Sequence, residues 1–349
     1  LLDAVRFLRD VANPTGGGLQ QAVAPPRRGG MVAVRCLAAR KNTDVMLAAT
    51  LGDDGGDRWR YELRFNAAGK DPRPFVKAEV VTRIEGDAQT EILGRPRPED
   101  KADPERLTET FLERATANRE FREVAEFLRS VSYLHAVPQI IREPWRKGDA
   151  VDDPFGGHLL AQINEAKPRN REARLKRMNA ALKIAVPQLD ELQLEVDKEG
   201  VPHLKAKFTH WRPQGAWQRE DQFSDGTLRL LGLIWALTGK GGPLLLEEPE
   251  LSLHGAVVAQ LPAVIRRAGR RKGGGRQSLI TTHASAMLRE PGIGLDEVFV
   301  LQTGAEGTAV TAAASIPEVV AMLEQGVPLP EAVEPHGRPE GVEQLSLFG

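Results

Sequence analysis

The sequence contains one cysteine, almost no net charge and no long apolar run. A single Cys36 excludes a disulfide framework and suits a reducing compartment, so we expect a cytoplasmic protein. The 47 basic and 48 acidic side chains nearly balance, so the overall charge gives no support for nucleic-acid binding. No apolar run approaches the roughly 20 residues that span a bilayer, and no membrane partner is expected.

A phosphate-binding loop of the form G-x-x-x-x-G-K-S/T is also absent from the sequence. The Gly-rich stretches at residues 15–18 and 272–276 both lack the Gly-Lys-Ser/Thr ending. That motif supplies a lysine to the β- and γ-phosphates of a nucleotide and a hydroxyl group to Mg²⁺. The residues present are therefore expected to bind nucleotide poorly by themselves.

One apolar run ends in two carboxylates. Leu244 to Leu246 follow a Gly-Gly-Pro turn, which predicts a strand buried on both faces of a parallel sheet. Ligands bind at the carboxyl ends of such strands. We assign Glu247 to Mg²⁺ and Glu248 to the attacking water of a phosphoryl transfer. The alternative is a strand followed by an acidic helix N-terminus.

Two further motifs flank this run. Upstream, Ser224, Asp225 and Gly226 precede a strongly apolar helical run, which indicates a helix N-terminus able to bind phosphate. Downstream, a β-rich segment ends at His283, whose imidazole can hydrogen-bond a terminal phosphate or a water. An ordinary capped helix and a structural histidine are the alternatives.

In this order, the motifs resemble those of ATP-binding-cassette ATPases of the SMC, RecF and OLD type, which include prokaryotic ATPases of DNA repair and phage defence. The matching segments are the signature loop at residues 223–227, the Walker B strand at 244–248, the D-loop at 249–254 and the switch histidine at 281–283. The resemblance implies an α/β fold, namely an ABC-type P-loop NTPase head with an antiparallel β subdomain and a helical insertion. It also implies ATP and Mg²⁺ as cofactors and a homodimer that closes around ATP.

The resemblance implies a role for each motif. The loop of residues 224–226 would bind nucleotide, with its serine and glycine touching the γ-phosphate held by the partner subunit. Glu248 would polarise the water, and His283 would sense the γ-phosphate. Glu247 stands where aspartate is commoner, but this departure keeps a carboxylate.

The first residues resemble the segment that directly follows the P-loop in this family. Leu1-Leu2-Asp3-Ala4 matches the end of the family's Gly-Lys-Ser-Asn-Leu-Leu-Asp-Ala. We therefore expect a P-loop just before Leu1, outside the sequence. The alternative is a natural protein that has lost its P-loop.

The chain divides into four predicted parts. Residues 1–100 would be the remainder of the first ATPase lobe with the antiparallel β subdomain, and residues 101–188 the helical insertion. Residues 189–326 would be the second lobe. Residues 327–349, rich in Pro, Glu and Gly, would be a disordered tail.

Local patterns fill in these parts. Alternating residues bounded by turn signals predict antiparallel strands at 31–37, 45–51, 59–65 and 75–84, after a loop at 13–30. Helical, charged patterns cover 103–134 and 157–186, strands are expected at 192–196, 204–208, 297–301 and 308–311, and a helix at 317–324.

A basic run lies inside the predicted insertion. Its cations include Arg169, Arg171, Arg174, Lys176 and Arg177. Because DNA affinity comes largely from lysine and arginine, these side chains are candidates for contact with DNA phosphates. The alternative is an ordinary solvated helix face.

The end of the chain resembles a second known motif. Gln344, Leu345, Ser346, Leu347 and Phe348 match the bacterial sliding-clamp-binding pentapeptide at all five positions. Apolar anchors on a flexible segment bury readily in a partner's pocket. The resemblance implies a sliding clamp as a partner. The alternatives are that the tail docks on its own domain or has no function.

These observations together predict an ATP-hydrolysing enzyme that acts on DNA in repair, replication-linked maintenance or phage defence. The first alternative is a catalytically silent cassette-fold scaffold that recruits partners through its tail. A nucleotide-binding subunit of a transporter is disfavoured by the clamp-like tail and the RecF-like signature. Too few residues follow His283 for a nuclease centre, so any nuclease or effector would be a separate partner.

Overall fold

The computed structural model of the protein describes residues 1–36, 38, 43–53, 55–68, 71–143, 153–211, 216–239, 241–269, 276–305 and 307–338. The chain divides into two compact units. The first unit is Leu1–Val131 with Gln302–Ala309, and the second is Ser132–Leu301 with Val310–Gly349. The assignment of lobes and insertion to residue ranges stays a prediction.

An antiparallel sheet is the centre of the first unit. Its strands lie side by side in chain order: β1 (Val45–Asp53), β2 (Gly56–Ala68), β3 (Asp71–Glu85) and β4 (Ala88–Arg95). Tyr61, Leu63 and Phe65 of β2 are fully buried at alternate positions, because successive side chains of a strand point to opposite faces. The strands predicted at 45–51, 59–65 and 75–84 are confirmed, and β4 is an addition.

Helices share a hydrophobic core with this sheet. They are α1 (Leu2–Ala12), α2 (Leu19–Val23), α4 (Met31–Val34) and α6 (Arg122–Ser130). The first unit also contains α3 (Pro25–Arg28) and α5 (Pro98–Ala102). The loop predicted at 13–30 is wrong in part, because Pro25 occupies the first turn of α3, where a fixed φ favours a helix. The strand predicted at 31–37 is wrong, because residues 31–34 form a helical turn that buries Met31.

The second unit contains both parallel and antiparallel strands. They are β5 (Ser132–Leu134), β6 (Leu189–Val196), β7 (Pro202–Phe208), β8 (Ala216–Arg219), β9 (Leu244–Glu247) and β10 (Ser278–Thr281). The paired strands β11 (Phe299–Gly304) and β12 (Gly307–Ala312) belong partly to each unit, since residues 302–309 are grouped with the first. The predicted strands near 192–196, 204–208, 297–301 and 308–311 are confirmed.

A three-stranded parallel sheet positions the predicted site. Its order is β10-β9-β5, so the Walker B strand is central. Leu244 to Leu246 are fully buried, as predicted for a parallel strand covered on both faces. The helix predicted at 103–134 is confirmed only over Arg122–Ser130, because residues 104–108 and 119–121 form 3₁₀ turns and β5 lies at its end. A strand of three residues is too short for its period to be distinguished from a helix.

A three-stranded antiparallel sheet, in the order β6-β7-β8, lies just before the signature loop in the chain. Gly200, in the turn between β6 and β7, has φ +83°, a left-handed conformation that favours glycine. His203 of β7 contacts Glu220 through Nδ1 at 2.7 Å and Asp197 through Nε2 at 3.2 Å. Burial lowers the pKa of His203, but hydrogen bonds to these carboxylates outweigh it, so the pKa lies above 6.5.

The helices of the second unit are α7 (Pro138–Arg142), α8 (Leu159–Glu165), α9 (Pro168–Ala185), α10 (Asp225–Thr238), α11 (Gly255–Val258), α12 (Leu261–Gly269), α13 (Pro317–Glu324) and α14 (Leu329–Gly337). The helix predicted at 317–324 is confirmed. The disorder predicted from residue 327 is wrong for α14, because Ala332 and Val333 are buried in a small core with Val319. Among the described residues, no helix is both long enough and apolar enough to cross a membrane.

Candidate functional site at the carboxyl end of the parallel sheet

Glu247 and Glu248 stand where β9 ends. The Tyr133 hydroxyl of β5 donates a hydrogen bond to Glu247 Oε2, so the neighbouring strand orients this carboxylate. The Glu248 N–H donates to the carbonyl oxygen of Thr281 at 3.0 Å. This bond continues the pairing of β9 with β10 for one residue beyond the strand. Both predicted carboxylates therefore lie at the sheet edge where ligands bind in α/β folds.

The backbone is strained at Glu248. Its φ is +42°, and that of Ser252 in the following D-loop is +62°. Within the described part of the chain, these are the non-glycine residues with a positive φ. Such a conformation costs on the order of 1–3 kcal/mol and clusters at active sites and switch segments. The strain therefore singles out the same segment that the motifs indicate.

His283 lies beside Glu248. Its Nε2 is 3.4 Å from Glu248 Oε1, and the two residues follow neighbouring parallel strands. The His283 side chain is 91% exposed, and that of Glu248 is 29% exposed. The structure thus brings the predicted base and the predicted switch histidine together on a face that a ligand can reach.

The signature loop, residues 223–227, leads into the N-terminus of α10. Ser224 is the N-cap, because its Oγ accepts a hydrogen bond from the Thr227 N–H at 3.2 Å. Arg142 of α7 holds the loop from outside. Its Nη2 lies 2.5 Å from Asp225 Oδ1 and donates to the Phe223 carbonyl oxygen at 2.7 Å. The Asp225 carboxylate is therefore already engaged within the chain.

Gly226 allows the signature loop to approach the D-loop closely. A Cβ atom at Gly226 would lie 2.5 Å from the carbonyl oxygen of Ser252. No side chain fits at that distance, so only glycine is compatible with this approach. The signature loop and the D-loop of one chain are thus in direct backbone contact.

Arg229 is a member of the site that the motif comparison does not assign. It follows the signature loop on α10 and lines a small cleft with Glu247 and Glu248. Its Nη1 donates to the Ala136 carbonyl oxygen at 2.6 Å. Burial lowers the pKa of the Arg229 guanidinium, and the charges of Asp225 and Glu248 oppose this effect. The cleft therefore contains a partly desolvated cation beside the carboxylates.

The carboxylate half of the site suits Mg²⁺. Magnesium prefers oxygen ligands and is usually held by one or two carboxylates together with waters and substrate phosphates. Glu247 and Glu248 supply such oxygens, and the neighbouring Thr281 Oγ1 is buried without a hydrogen-bond partner among the described residues. Among the described residues, no group of three or more His, Cys, Asp or Glu side chains could hold a metal ion. The sequence contains no G-x-x-x-x-G-K-S/T motif that would hold the phosphates beside these carboxylates in the same chain.

The basic residues of α9 have two kinds of environment. The Arg174 guanidinium lies 3.1 Å from the Trp235 ring centroid and donates to the Trp235 carbonyl oxygen at 2.6 Å. Arg171 donates to a backbone carbonyl oxygen of α8 at 2.8 Å. These two side chains have structural roles in the fold. The exposed members of the predicted DNA surface are Arg169, Lys176 and Arg177. The clamp-like residues 344–348 lie outside the described residues.

Solved structures of SMC heads show similarity to the chain. An Smc head with an extended coiled coil, bound to the C-terminal domain of ScpA, from Pyrococcus furiosus has a TM-score of 0.42 at 10% identity, over 93% of this chain and 89% of that chain. An SmcHead bound to the C-winged helix domain of ScpA has a TM-score of 0.45 at 12% identity, over 89% and 85%. The SMC head domain from Thermotoga maritima has a TM-score of 0.33 at 12% identity, over 73% and 74%.

Comparison with sequence families identifies the group to which the chain belongs. No curated protein matches the sequence. One family profile matches residues 1–288, which is more than half of the chain. This match confirms the resemblance to SMC- and RecF-like ATPases and the ABC-type α/β fold class. The chain therefore belongs to the family described as "AAA domain, putative AbiEii toxin, Type IV TA system".

Proposed function

We propose that the chain carries the hydrolytic half of an ATPase site of the SMC- and RecF-like class. The observation that carries this proposal is the pairing of Glu248 and His283 across neighbouring parallel strands, with Nε2 and Oε1 3.4 Å apart. Phosphoryl transfer needs positioning and charge stabilisation more than covalent chemistry. An acid and an imidazole at one edge of a sheet meet that need.

Each residue has a distinct task in this proposal. Glu248 accepts the proton of the attacking water as the new oxygen–phosphorus bond forms and the bond to ADP breaks. His283 hydrogen-bonds the γ-phosphate or the water. Glu247, oriented by Tyr133, holds Mg²⁺, which neutralises phosphate charge. Arg229 adds a second positive charge beside the carboxylates.

The signature loop acts on a second copy of the chain in this proposal. The N–H groups at the start of α10 and the Ser224 hydroxyl face the γ-phosphate bound by the partner. ATP then joins two heads, and its hydrolysis releases them, because the γ-phosphate is the shared contact. Gly226 and Ser252 transmit this event within one chain, since their backbones touch.

Glu248→Gln in the complete protein tests this proposal. The substitution keeps the size of the side chain and removes the proton acceptor, so phosphate release from saturating ATP should fall by at least about 100-fold. ATP affinity should stay within about threefold, and ATP should increase the dimer fraction in analytical ultracentrifugation. Glu199→Gln, in the exposed turn between β6 and β7, is the matched control and should behave as the unchanged protein.

The outcome separates the two candidate functions. Wild-type turnover by Glu248→Gln would show that Glu248 is not the base. A complete, unchanged protein that neither binds nor hydrolyses ATP would favour the second candidate, a cassette-fold scaffold that recruits partners.

DNA is the proposed macromolecular partner, through the exposed Arg169, Lys176 and Arg177 of α9. Positions 169 and 176 are two helical turns apart and therefore share a face.

We further propose a cytoplasmic homodimer acting in DNA repair, replication-linked maintenance or phage defence, with an effector such as a nuclease as a separate protein. The putative toxin in the family description is compatible with the defence setting.

The sliding clamp is the proposed partner of residues 344–348, and deletion of those residues should abolish retention on immobilised clamp.

A further inference from the structure

Glu250 is a buried acid in the D-loop, two residues after the proposed base. Only 8% of the residue is exposed. Its Oε1 accepts a hydrogen bond from the Thr282 hydroxyl at 2.5 Å and another from the His283 backbone N–H at 3.2 Å. One carboxylate oxygen therefore holds the two residues that follow β10.

The Thr282 hydroxyl extends this contact by one residue. Its oxygen accepts a hydrogen bond from the Ala284 N–H at 3.0 Å while its proton is directed to Glu250. On the D-loop side, the Glu250 carbonyl oxygen accepts from the Leu253 N–H at 3.0 Å. The segment 282–284 and the D-loop are thus joined through a single side chain.

Stability alone does not explain an acid at this position. The second oxygen of Glu250, Oε2, is buried and has no hydrogen-bond partner among the described residues. Burying a polar atom without a partner costs folding free energy, and more so for a charged group. Residues that break such a local rule are expected where function requires them.

The imidazole of His283 depends on its backbone for its place. The side chain is almost fully exposed, so packing does not restrict its ring. Its backbone N–H is held by Glu250, and its ring meets Glu248, two residues before Glu250 in the same loop. Glu248, the proposed base, and Glu250, which holds the His283 backbone, therefore belong to one short strained segment, which also contains Pro249.

We infer that Glu250 is a positioning residue, which holds the backbone at His283 so that the imidazole stays against Glu248. Its importance for turnover rests on the proposed ATPase function, but its effect on the His283 backbone does not. The proposal requires an acceptor oxygen at this place rather than a negative charge. Glu250→Gln keeps an amide oxygen that accepts both hydrogen bonds, whereas Glu250→Ala removes the acceptor.

Amide hydrogen exchange measured by NMR on the full chain tests the positioning directly. In Glu250→Ala, the His283 amide should exchange at least ten times faster, while the amides of β10 keep their wild-type rates. In Glu250→Gln, the His283 amide should stay within threefold of wild type. Glu297→Ala is the matched control, since Glu297 also accepts a hydrogen bond from a backbone N–H, that of Gly294 at 2.8 Å. It should leave the His283 amide unchanged.

Two exchange results would overturn the inference. One is an unchanged His283 amide in Glu250→Ala. The other is equal acceleration at His283 and along β10, which would show a general loss of stability. Thr282→Val gives a second test, because it removes the hydroxyl but leaves the His283 N–H bonded to Glu250. The His283 amide should then stay protected while the Ala284 amide exchanges at least ten times faster.

ATP turnover separates this inference from the proposed function. Glu250→Ala should lower kcat at least tenfold with KM for ATP within threefold, and Glu250→Gln should restore kcat to within threefold of wild type. Turnover that depends on Glu248 but not on Glu250 would overturn the positioning role. If the unchanged protein has no turnover, the expected exchange pattern still supports the positioning of His283, and the proposed ATPase function fails by itself.

Discussion

Replacing Gly226 by alanine should push the signature loop away from the D-loop. The new Cβ would lie 2.5 Å from the Ser252 carbonyl oxygen, whereas ordinary contact begins at 3.4 Å, so the two backbones must separate by 3.4 − 2.5 = 0.9 Å. The atom in the way is backbone, and Ser252 is already strained at φ +62°. Overpacking of this kind costs about 1–3 kcal/mol. We expect a loss of that size in the free energy of unfolding.

The control for this prediction lies on the same helix. A Cβ at Gly232 of α10 would lie 3.6 Å from the Ala136 Cβ, which is ordinary van der Waals contact. Alanine is favoured over glycine in a helix interior by about 1 kcal/mol, so Gly232→Ala should stabilise the protein by up to that amount. Two Gly-to-Ala substitutions six residues apart should therefore have opposite signs.

Equilibrium urea denaturation followed by circular dichroism measures both variants. The dependence of free energy on urea should stay unchanged, so that the shift of the midpoint reports stability. Two results would contradict the predicted clash: a Gly226→Ala variant as stable as the unchanged protein, or one no less stable than Gly232→Ala. ATP-dependent dimer formation should fall in Gly226→Ala only, because the signature loop is displaced.

Three other predictions concern the second unit. His203 has a raised pKa in the folded state, so its stabilising contribution is complete below pH 6.5 and is lost as the pH rises through the folded pKa. The urea midpoint of His203→Gln should therefore depend less on pH over that range than the midpoint of the unchanged protein. Arg174→Ala should lower the free energy of unfolding by about 1–3 kcal/mol in urea denaturation, because it loses the cation–π contact with Trp235 and a backbone hydrogen bond. Lys176→Ala should change that free energy by less than about 0.5 kcal/mol. It should also reduce the slope of the logarithm of DNA affinity against the logarithm of salt concentration by about 1. Tyr133→Phe should cost about 0.5–1.5 kcal/mol by the same assay, because Glu247 loses a hydrogen bond; no change would show that the hydroxyl does not hold the carboxylate.

Local patterns in the sequence predict much of the fold. The alternation at 45–51, 59–65 and 75–84 and the apolar run before Glu247 correspond to observed strands. The pattern at 31–37 misleads, because alternation alone does not show which side chains find a core. Only Met31 of α4 is buried, and it is buried in a helical turn. The short β5 has no detectable period at all.

The residues of the site divide in the same way. Ser224, Glu248 and His283 are visible in the sequence, because their chemistry and motif order are local features. Tyr133 and Arg142 carry no such signal. Their roles arise from contacts with residues far away in the chain, namely the carboxylate of Glu247 and the signature loop.

Motifs in the sequence already indicate which chemical groups are present and the order in which they occur: a capped helix, a strand that ends in two acids, and a strand that ends in a histidine. The folded chain is needed to show that His283 lies beside Glu248, that Glu250 is buried beneath it and that Gly226 touches Ser252. Sequence periodicity reports which face of one element is apolar, whereas these contacts depend on how separate elements pack and pair, which no local pattern records.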